Sequence, residues 1–498
     1  MIKLFESSKI YQIIKKIYLF FLIPFRETFV YKLFMTDLSN ERWQSSLVYR
    51  LILGLRELVS KLSDLITHSV SWKWVRKTGS KTTLPEMIST SKILGWFRIS
   101  GEGYSLAFFV FLLLLFLAGI LPTMAVVGLV LLTLVFSLFD REFRSNLSKT
   151  KPIFTDALVG LYLVSLLWGL FLSKDPGKFQ IFLVYFVFVG LYYGVRYYVS
   201  TQRRLILSVS YFTLSGIFVC GYGFLQYITG SYETTTWTDT QLFSDISGRI
   251  YSTFQNPNVF GEYLLFLIPL SVAMFLIAKN KLHKGVYGGC VLASLACLIL
   301  TYSRGCWLGL IAGMGLFLLL LYKKTLIPLF FLAPFSLFVI PEHIINRFMS
   351  IGNLKDGSTA FRVYVWRGTV DMLQKLWPTG AGLGNYSFEV SYAPFAYLDI
   401  MAPHSHSLYF HLLSETGLFG FLVFIFLAYF ILRQLFLVYK NPKSRELQIL
   451  AIALVSGFVS FLIQGFFDNT FYNYRMYMLF FALLSIAASL YAIGGKES

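Results

Sequence analysis

Long apolar stretches recur along this chain of 498 residues, and short polar segments separate them. Because about 20 apolar residues cross a hydrocarbon layer of about 30 Å, this pattern predicts about twelve transmembrane helices. The expected spans lie near residues 104–120, 122–139, 153–173, 179–195, 205–227, 259–278, 285–302, 305–322, 325–340, 416–438, 448–467 and 474–493. Helices are expected because lipid offers no partner for an unpaired backbone group. The pattern therefore predicts an all-α polytopic membrane protein.

Composition supports this interpretation. Hydrophobic residues make up 56% of the chain and charged residues 14%, whereas soluble proteins average roughly 45–50% and about 25%. Too few charges are present to cover the surface of a soluble protein, which excludes a cytosolic enzyme, a disordered chain and a secreted disulfide scaffold. The four cysteines lie in or beside apolar stretches and are expected to pack as small apolar side chains.

The net charge of +18 would suggest a nucleic-acid partner in a soluble protein. In a membrane protein, the preference of lysine and arginine for cytoplasmic loops explains it more simply. With the N-terminus inside, most of the basic residues between spans fall in inner loops. Both termini are therefore expected in the cytoplasm, and no nucleic-acid partner is expected.

The spans divide the chain into four regions. Residues 1–100 are basic, and apolar positions between Leu47 and Ile66 recur at helical spacing, which predicts an amphipathic helix on the inner leaflet or one packed on the transmembrane bundle. Residues 101–340 hold nine predicted spans, 341–415 form a large extracytoplasmic loop, and 416–498 hold three more spans and a short cytoplasmic tail. Long loops in compact proteins are often functional, so the chemistry is sought in the large loop.

An amphipathic helix is predicted within this loop, over Thr359–Trp377. Arg362 and Arg367 lie off the centre of its apolar stripe, where they could reach an outer cavity. Alternatively, Arg367 pairs with Asp371 four residues later, which would be a weak surface contact.

Three of the six histidines lie close together at the end of the loop: His404, His406 and His411. A histidine here could act as a general base or orient a hydroxyl. A zinc site and structural packing are the alternatives, but the segment has neither cysteine partners nor an H-E-x-x-H spacing, so no metal is expected. His411 is expected to be structural.

Arg304 lies in the predicted tight outer turn between two spans. Arginine near membrane depth is costly unless it meets an anion, and its planar fork suits a phosphate; snorkelling to the interface is the alternative. Arg249 is another arginine of the outer segments and a candidate for substrate binding. Arginines and histidines at a lipid boundary suit a lipid diphosphate substrate, because guanidinium groups stabilise the leaving diphosphate.

The chain resembles the O-antigen ligase and polymerase superfamily, whose members are bacterial membrane enzymes that transfer glycans from undecaprenyl diphosphate. The resemblance covers about residues 150–493. It rests on five segments in order: Ser252–Tyr263, Tyr302–Leu310, Arg362–Trp366, Pro378–Gly384 and Pro403–Gly420.

The resemblance implies metal-independent, inverting transfer without a cofactor, at the bacterial cytoplasmic membrane, from an undecaprenyl-diphosphate-linked glycan to a glycan or lipid acceptor. Arg304 and Arg362 would bind the diphosphate, and His406 would be the essential histidine. Ser407 follows His406 where the family has asparagine, so His404 stays an alternative. Asp468 and Arg475 also resemble family positions, with no role assigned.

We therefore expect a membrane glycosyltransferase that acts as a ligase or a polymerase, which these motifs do not separate. A solute or anion transporter is the main alternative, and a structural subunit is another. A transporter should place charged residues near the bilayer midplane, whereas Asp156, Glu262 and Glu415 fall near predicted span ends.

Overall fold

The described parts of the structure, a computed structural model, are residues 106–140, 143, 145–147, 150–232, 248–322 and 341–494, with scattered positions between 45 and 61. The chain divides into two units, residues 1–52 with Ser498 and residues 53–497. In the first unit the described positions 47 and 49–51 are helical. Most of the predicted helix over 47–66 lies outside the described residues, and its place relative to the membrane stays a prediction.

The described residues of the second unit form helices and no strands. Its helices are α1 Leu106–Leu117, α2 Thr123–Phe139, α3 Phe154–Leu172, α4 Lys178–Tyr198, α5 Gln202–Thr229, α6 Pro257–Ile277, α7 Lys281–Leu300, α8 Arg304–Leu321, α9 Glu342–Met349, α10 Gly357–Leu376, α11 Asn385–Tyr392, α12 Leu408–Lys440, α13 Arg445–Phe467 and α14 Tyr474–Gly494. Short 3₁₀ turns cover Ser252–Phe254, Ala393–Phe395 and Tyr397–Asp399.

Within the described residues, nine helices are long and apolar enough to cross a membrane, namely α3 to α8 and α12 to α14. Helices α1 and α2 are apolar but shorter. The prediction of an all-α polytopic membrane protein is confirmed. The predicted span near 325–340 lies outside the described residues, so the count of twelve is not confirmed.

A close crossing of α8 and α13 positions the site. Helix α13 packs against α6, α8 and α12. At the crossing, a Cβ on Gly309 would come within 2.5 Å of the Ser460 carbonyl oxygen. Small residues allow helices to approach this closely in a membrane. The crossing brings Arg304, the first residue of α8, to the end of α13 that Asp468 follows.

Helix α12 begins at Leu408, earlier than the span predicted from residue 416, and is interrupted at Gly417. Gly417 has a φ of 64°, and a Cβ there would lie 2.5 Å from the Pro378 carbonyl oxygen. Only glycine accommodates both conditions. Hydropathy alone could not show the earlier start, because the turns before Gly417 carry polar side chains as well as apolar ones.

Candidate active site

A cavity of about 740 Å³ lies where the ends of α6, α8 and α13 meet α9 and α10. Six basic side chains contribute to its wall: Arg249, Arg304, Arg347, Arg362, His404 and His406. The carboxylates of Asp468 and Glu262 also line it. Segments distant in sequence thus bring guanidinium and imidazole groups to one cavity.

His406 is paired with a carboxylate. Its Nδ1 lies 3.4 Å from Oδ1 of Asp468, and the two side chains are 21% and 13% exposed. No described group pairs with its Nε2. A carboxylate at one imidazole nitrogen fixes the tautomer and leaves the other nitrogen to exchange a proton with a substrate.

The backbone of His406 is held in an unusual conformation. Its φ of 49° lies in the left-handed region, which non-glycine residues occupy at a cost. Two hydrogen bonds hold it there: the His406 amide donates to Nδ1 of His404 (3.2 Å) and the His406 carbonyl accepts from Nε1 of Trp366 (3.2 Å). The helix α10 therefore contributes to the position of His406.

His404 is buried and packed between two tilted rings. Its ring centroid is 4.1 Å from that of His406 and 4.6 Å from that of Tyr472. Burial, together with the neighbouring charge of His406, lowers the pKa of His404 to about 3. Its Nδ1 accepts the hydrogen bond from the His406 amide, so this nitrogen carries no proton. The neutral ring of His404 thus supports the backbone of His406.

This burial predicts acid sensitivity. Since His404 titrates lower in the folded protein than the ordinary pKa of about 6.5, the unfolded chain binds more protons between pH 6.5 and 3. Folding stability therefore falls as the pH drops, by up to about 1.4 kcal/mol per pH unit. His404→Asn should lessen the fall of the thermal unfolding midpoint between pH 7 and 5, while the control His343→Asn should behave as the wild type. An unchanged fall in His404→Asn would contradict the assignment.

Asp468 is fixed as an ionised partner. Its Oδ2 accepts from Nδ2 of Asn258 (2.7 Å), and its Oδ1 accepts from the Asn469 amide (2.9 Å). Burial opposes its charge, but the hydrogen bond from His406 and the charge of Arg362 outweigh it and hold the pKa of Asp468 below its usual range. Sequence reasoning assigned Asp468 no role; the only signal was its resemblance to a family position.

The guanidinium of Arg304 already forms hydrogen bonds and an ion pair with other side chains of the protein. Its Nη1 donates to Oγ of Ser350 (2.7 Å), and its Nη2 donates to Oγ of Ser358 (2.8 Å) and Oγ1 of Thr359 (3.2 Å). Nη2 also pairs with Asp356, which is fully buried. Burial disfavours the charge of Asp356, but Arg304 outweighs it and lowers the pKa of Asp356. Arg304 therefore ties the start of α8 to the start of α10.

Arg304→Gln should destabilise the protein by about 3–5 kcal/mol, because it leaves the Asp356 carboxylate buried without its main partner. Adding Asp356→Asn removes that charge and should recover part of the loss. Thermal unfolding of the purified variants measures both effects. A double variant no more stable than Arg304→Gln would show that the ion pair does not carry the stabilisation.

Arg362 is held much more loosely. Its Nη2 lies 3.7 Å from Oδ2 of Asp468, and its Nη1 donates to the Ser358 carbonyl at 3.5 Å. Its buried Nε has no hydrogen-bond partner among the residues that the structure describes. Unpaired buried donors are costly. Among the guanidinium groups of the cavity, Arg362 is the one best placed to bind an incoming anion.

Arg249 and Arg347 contribute two further guanidinium groups to the cavity wall. Arg249 donates to the Thr301 carbonyl (2.7 Å) and to Oδ1 of Asn258 (2.8 Å). Burial and the charges of Arg347 and Arg362 lower its pKa well below the ordinary value. Nη1 of Arg347 lies 3.8 Å from Oδ1 of Asp356. Sequence reasoning missed Arg347, whose only signal is its position on the short amphipathic helix α9.

The expectation that Arg367 reaches the cavity is corrected by the structure. Arg367 is absent from the cavity wall, because five residues of α-helix turn it by about 140° from Arg362. It also does not pair with Asp371, which accepts from Gln374 at 3.4 Å. Instead its guanidinium carbon lies 4.2 Å from the ring centroid of Tyr397.

The three clustered histidines separate into different environments. Nε2 of His411 pairs with Oε2 of Glu415 at 3.3 Å, and Oε1 of Glu415 accepts from the Gly384 amide at 2.9 Å. These two contacts stabilise the turn that precedes α11. In the described part of the chain, no group of three or more histidine, cysteine or acidic side chains is arranged to hold a metal ion.

Arg475, at the start of α14, holds loops in place. Its Nη1 donates to the Leu121 carbonyl (3.1 Å) and its Nη2 to the Thr253 carbonyl (2.7 Å). Its guanidinium carbon lies 4.4 Å from the ring centroid of Phe254. These contacts lie away from the cavity wall, and they account for Arg475 as a structural residue.

The chain is similar to known proteins. Residues 289–425 match the family described as O-antigen ligase, and this match includes Arg304, Arg362, His404 and His406. The chain is also similar to the teichuronic acid biosynthesis protein TuaE of Bacillus subtilis (strain 168), with 21% identity over 357 residues, which is 66% of this chain and 69% of the relative. The resemblance to the O-antigen ligase and polymerase superfamily is confirmed.

Proposed function

We propose that this protein transfers a glycan from undecaprenyl diphosphate to a hydroxyl of a glycan or lipid acceptor, at the outer face of the bacterial cytoplasmic membrane. The family match and the relative in teichuronic acid biosynthesis support a membrane glycan ligase or polymerase. The observation that carries the proposed chemistry is the His406–Asp468 pair in a cavity walled by four arginines.

His406 acts as the general base in this proposal. As the acceptor oxygen bonds to the anomeric carbon, its proton moves to Nε2 of His406. The bond from that carbon to the diphosphate oxygen breaks, its electron pair leaves with the diphosphate, and attack from the opposite side inverts the anomeric centre. Asp468 accepts the hydrogen bond from Nδ1–H and stabilises the imidazolium that forms.

The arginines bind and stabilise the diphosphate. Arg362 would make charge-assisted hydrogen bonds to it, because within the described part of the chain its guanidinium has only long contacts of 3.5 and 3.7 Å. Arg304, Arg249 and Arg347 supply a fixed positive potential around the same cavity. Arg304 contributes mainly by holding α10, and therefore Arg362, against α8.

The position of the cavity suits a substrate with a long lipid tail. It lies at the ends of membrane-spanning helices, so a diphosphate could enter it while an isoprenoid chain stays in the hydrocarbon layer. With both termini in the cytoplasm, as the basic loops predict, these helix ends face outward. Accessibility labelling of an introduced Lys355→Cys from outside intact cells would test this orientation.

The test of the proposed function uses the purified protein in liposomes. The substrate is lipid-linked glycan extracted from a strain in which the gene for this protein is deleted. Transfer releases undecaprenyl diphosphate, which mass spectrometry detects whatever the acceptor is. A ladder of longer lipid-linked glycans would indicate a polymerase, and a different glycosylated lipid would indicate a ligase. Uptake of solute into the liposomes without release of undecaprenyl diphosphate would contradict the proposal and favour a transporter.

A further inference from the structure

Arg367 belongs to a group of side chains next to the cavity. Its guanidinium lies over the ring of Tyr397, at 4.2 Å from the centroid. The ring of Tyr364 lies beside that of Tyr397, with centroids 5.4 Å apart. Arg367 is exposed, and both tyrosines are half-buried, so two aromatic rings and a cation share one accessible surface.

A second pair of the same kind lies further along α10. Nζ of the exposed Lys375 is 5.0 Å from the ring centroid of Phe395. Eight residues of α-helix separate Arg367 from Lys375, which is about 12 Å along the axis. We define the cation–aromatic ledge as Tyr364, Arg367, Lys375, Phe395 and Tyr397. Its helix packs against the two 3₁₀ turns that supply the other aromatic rings.

The donors of Arg367 are available for a ligand. Among the described residues, no group forms an ion pair or a hydrogen bond with Arg367, and Asp371 one turn later is engaged by Gln374 instead. Stacking on an aromatic ring covers the face of a guanidinium and leaves its N–H groups at the edges. An anion approaching along the ledge therefore meets N–H donors that no described residue occupies.

The ledge shares helix α10 with two residues of the cavity wall. Arg362 and Trp366 of the same helix line the cavity, and Trp366 donates to the carbonyl of His406. Arg367 lies about 7.5 Å along the axis from Arg362. Sugars a few positions away from the reacting one would reach the ledge.

We propose that the cation–aromatic ledge binds the sugar chain beyond the reacting residue, and that this chain is an anionic glycan. Sugar rings would pack on Tyr364 and Tyr397, and carboxylate or phosphate substituents would bind Arg367 and Lys375. Two cations on residues about 12 Å apart along the helix axis fit a chain with repeating negative charges better than a neutral one. This inference rests on the proposed function and specifies its substrate class.

The experiment measures binding of free oligosaccharides to the purified full-length protein by titration calorimetry. The probes are tetragalacturonate, which is anionic, and maltotetraose, which is neutral. Arg367→Gln should weaken tetragalacturonate binding about tenfold, as expected for a charged hydrogen bond, and reduce its salt dependence, without changing maltotetraose binding. Tyr397→Leu should weaken both. Lys355→Gln removes an equal charge from an exposed lysine outside the ledge and should change neither.

Two outcomes would overturn the inference: wild-type binding of tetragalacturonate by Arg367→Gln, or an equal loss in Lys355→Gln, which would indicate only general attraction by a basic protein. The test is independent of catalysis. A variant with His406→Ala should still bind tetragalacturonate as the wild type does. Transfer that survives His406→Ala would contradict the proposed base and leave the ledge unaffected.

Discussion

Replacement of His406 by alanine should lower the rate of glycan transfer by about 10²–10⁴-fold, the usual contribution of a positioned general base. The physical reason is that His404, the other imidazole of the cavity, cannot take its place: it is buried, and its Nδ1 already accepts a hydrogen bond from the His406 amide. Release of undecaprenyl diphosphate in liposomes measures the rate, and lipid-linked glycan should accumulate in cells.

The control is His283→Ala, which removes a histidine from the first turn of α7 and should transfer at the wild-type rate. Asp468→Asn should also slow transfer, because it removes the charge that stabilises the imidazolium. Since the two groups act as a unit, the double variant should be no slower than His406→Ala alone. Independent, multiplicative losses would contradict the pairing. Normal transfer by His406→Ala at wild-type protein levels would remove the catalytic assignment altogether.

Replacement of Arg362 by glutamine should reduce transfer by about 10²–10³-fold, which is typical for loss of one preorganised donor to developing negative charge. Its guanidinium is the loosely held one, with contacts of 3.5 and 3.7 Å, so its loss should cost little folding stability. Arg362→Gln should therefore unfold near the wild-type temperature while losing activity. Arg304→Gln should lose both folding stability and activity.

Arg362→Lys provides the matched control for charge. Lysine keeps the positive charge but not the planar fork, so activity between that of the wild type and Arg362→Gln is expected. The affinity for undecaprenyl diphosphate, measured by native mass spectrometry, should fall in the same order. A large stability loss in Arg362→Gln with unchanged affinity would mean that Arg362 is a structural residue.

Hydropathy predicted most of the membrane architecture because lipid imposes a strict length and composition on each span. The hydropathy pattern predicted the start of this span at residue 416, whereas α12 begins at Leu408. Gly417, with its positive φ, joins the two helical segments on either side of it. The amphipathic pattern of α10 suggested that Arg367 could reach the cavity. In the structure, one face of α10 lines the cavity and another carries the residues of the ledge. Periodicity identifies an amphipathic helix but does not say which of its polar residues faces a given neighbour.

Sequence analysis could predict those candidate site residues that lie together in a short motif. It could not predict a partner residue that a distant segment of the chain supplies. His404 and His406 are two residues apart in sequence, and only the burial and ring contacts of His404 distinguish their environments. Asp468 lies far along the chain from His406 and meets it because α13 packs on α8 and α12. Arg347 lies only nine residues before Asp356, and the turn between α9 and α10, whose conformation periodicity does not predict, brings the two side chains together.

The dependence of His406 on a residue after α13 has a consequence for biosynthesis. A ribosome-bound chain that has inserted α12 already carries every segment of the family resemblance up to Gly420, yet it has no carboxylate for the imidazole. Asp468 emerges only after one more helix has entered the membrane. Under the proposed mechanism, partial translation products should therefore transfer lipid-linked sugar slowly at most, and the full activity should arise only when the last helices are inserted.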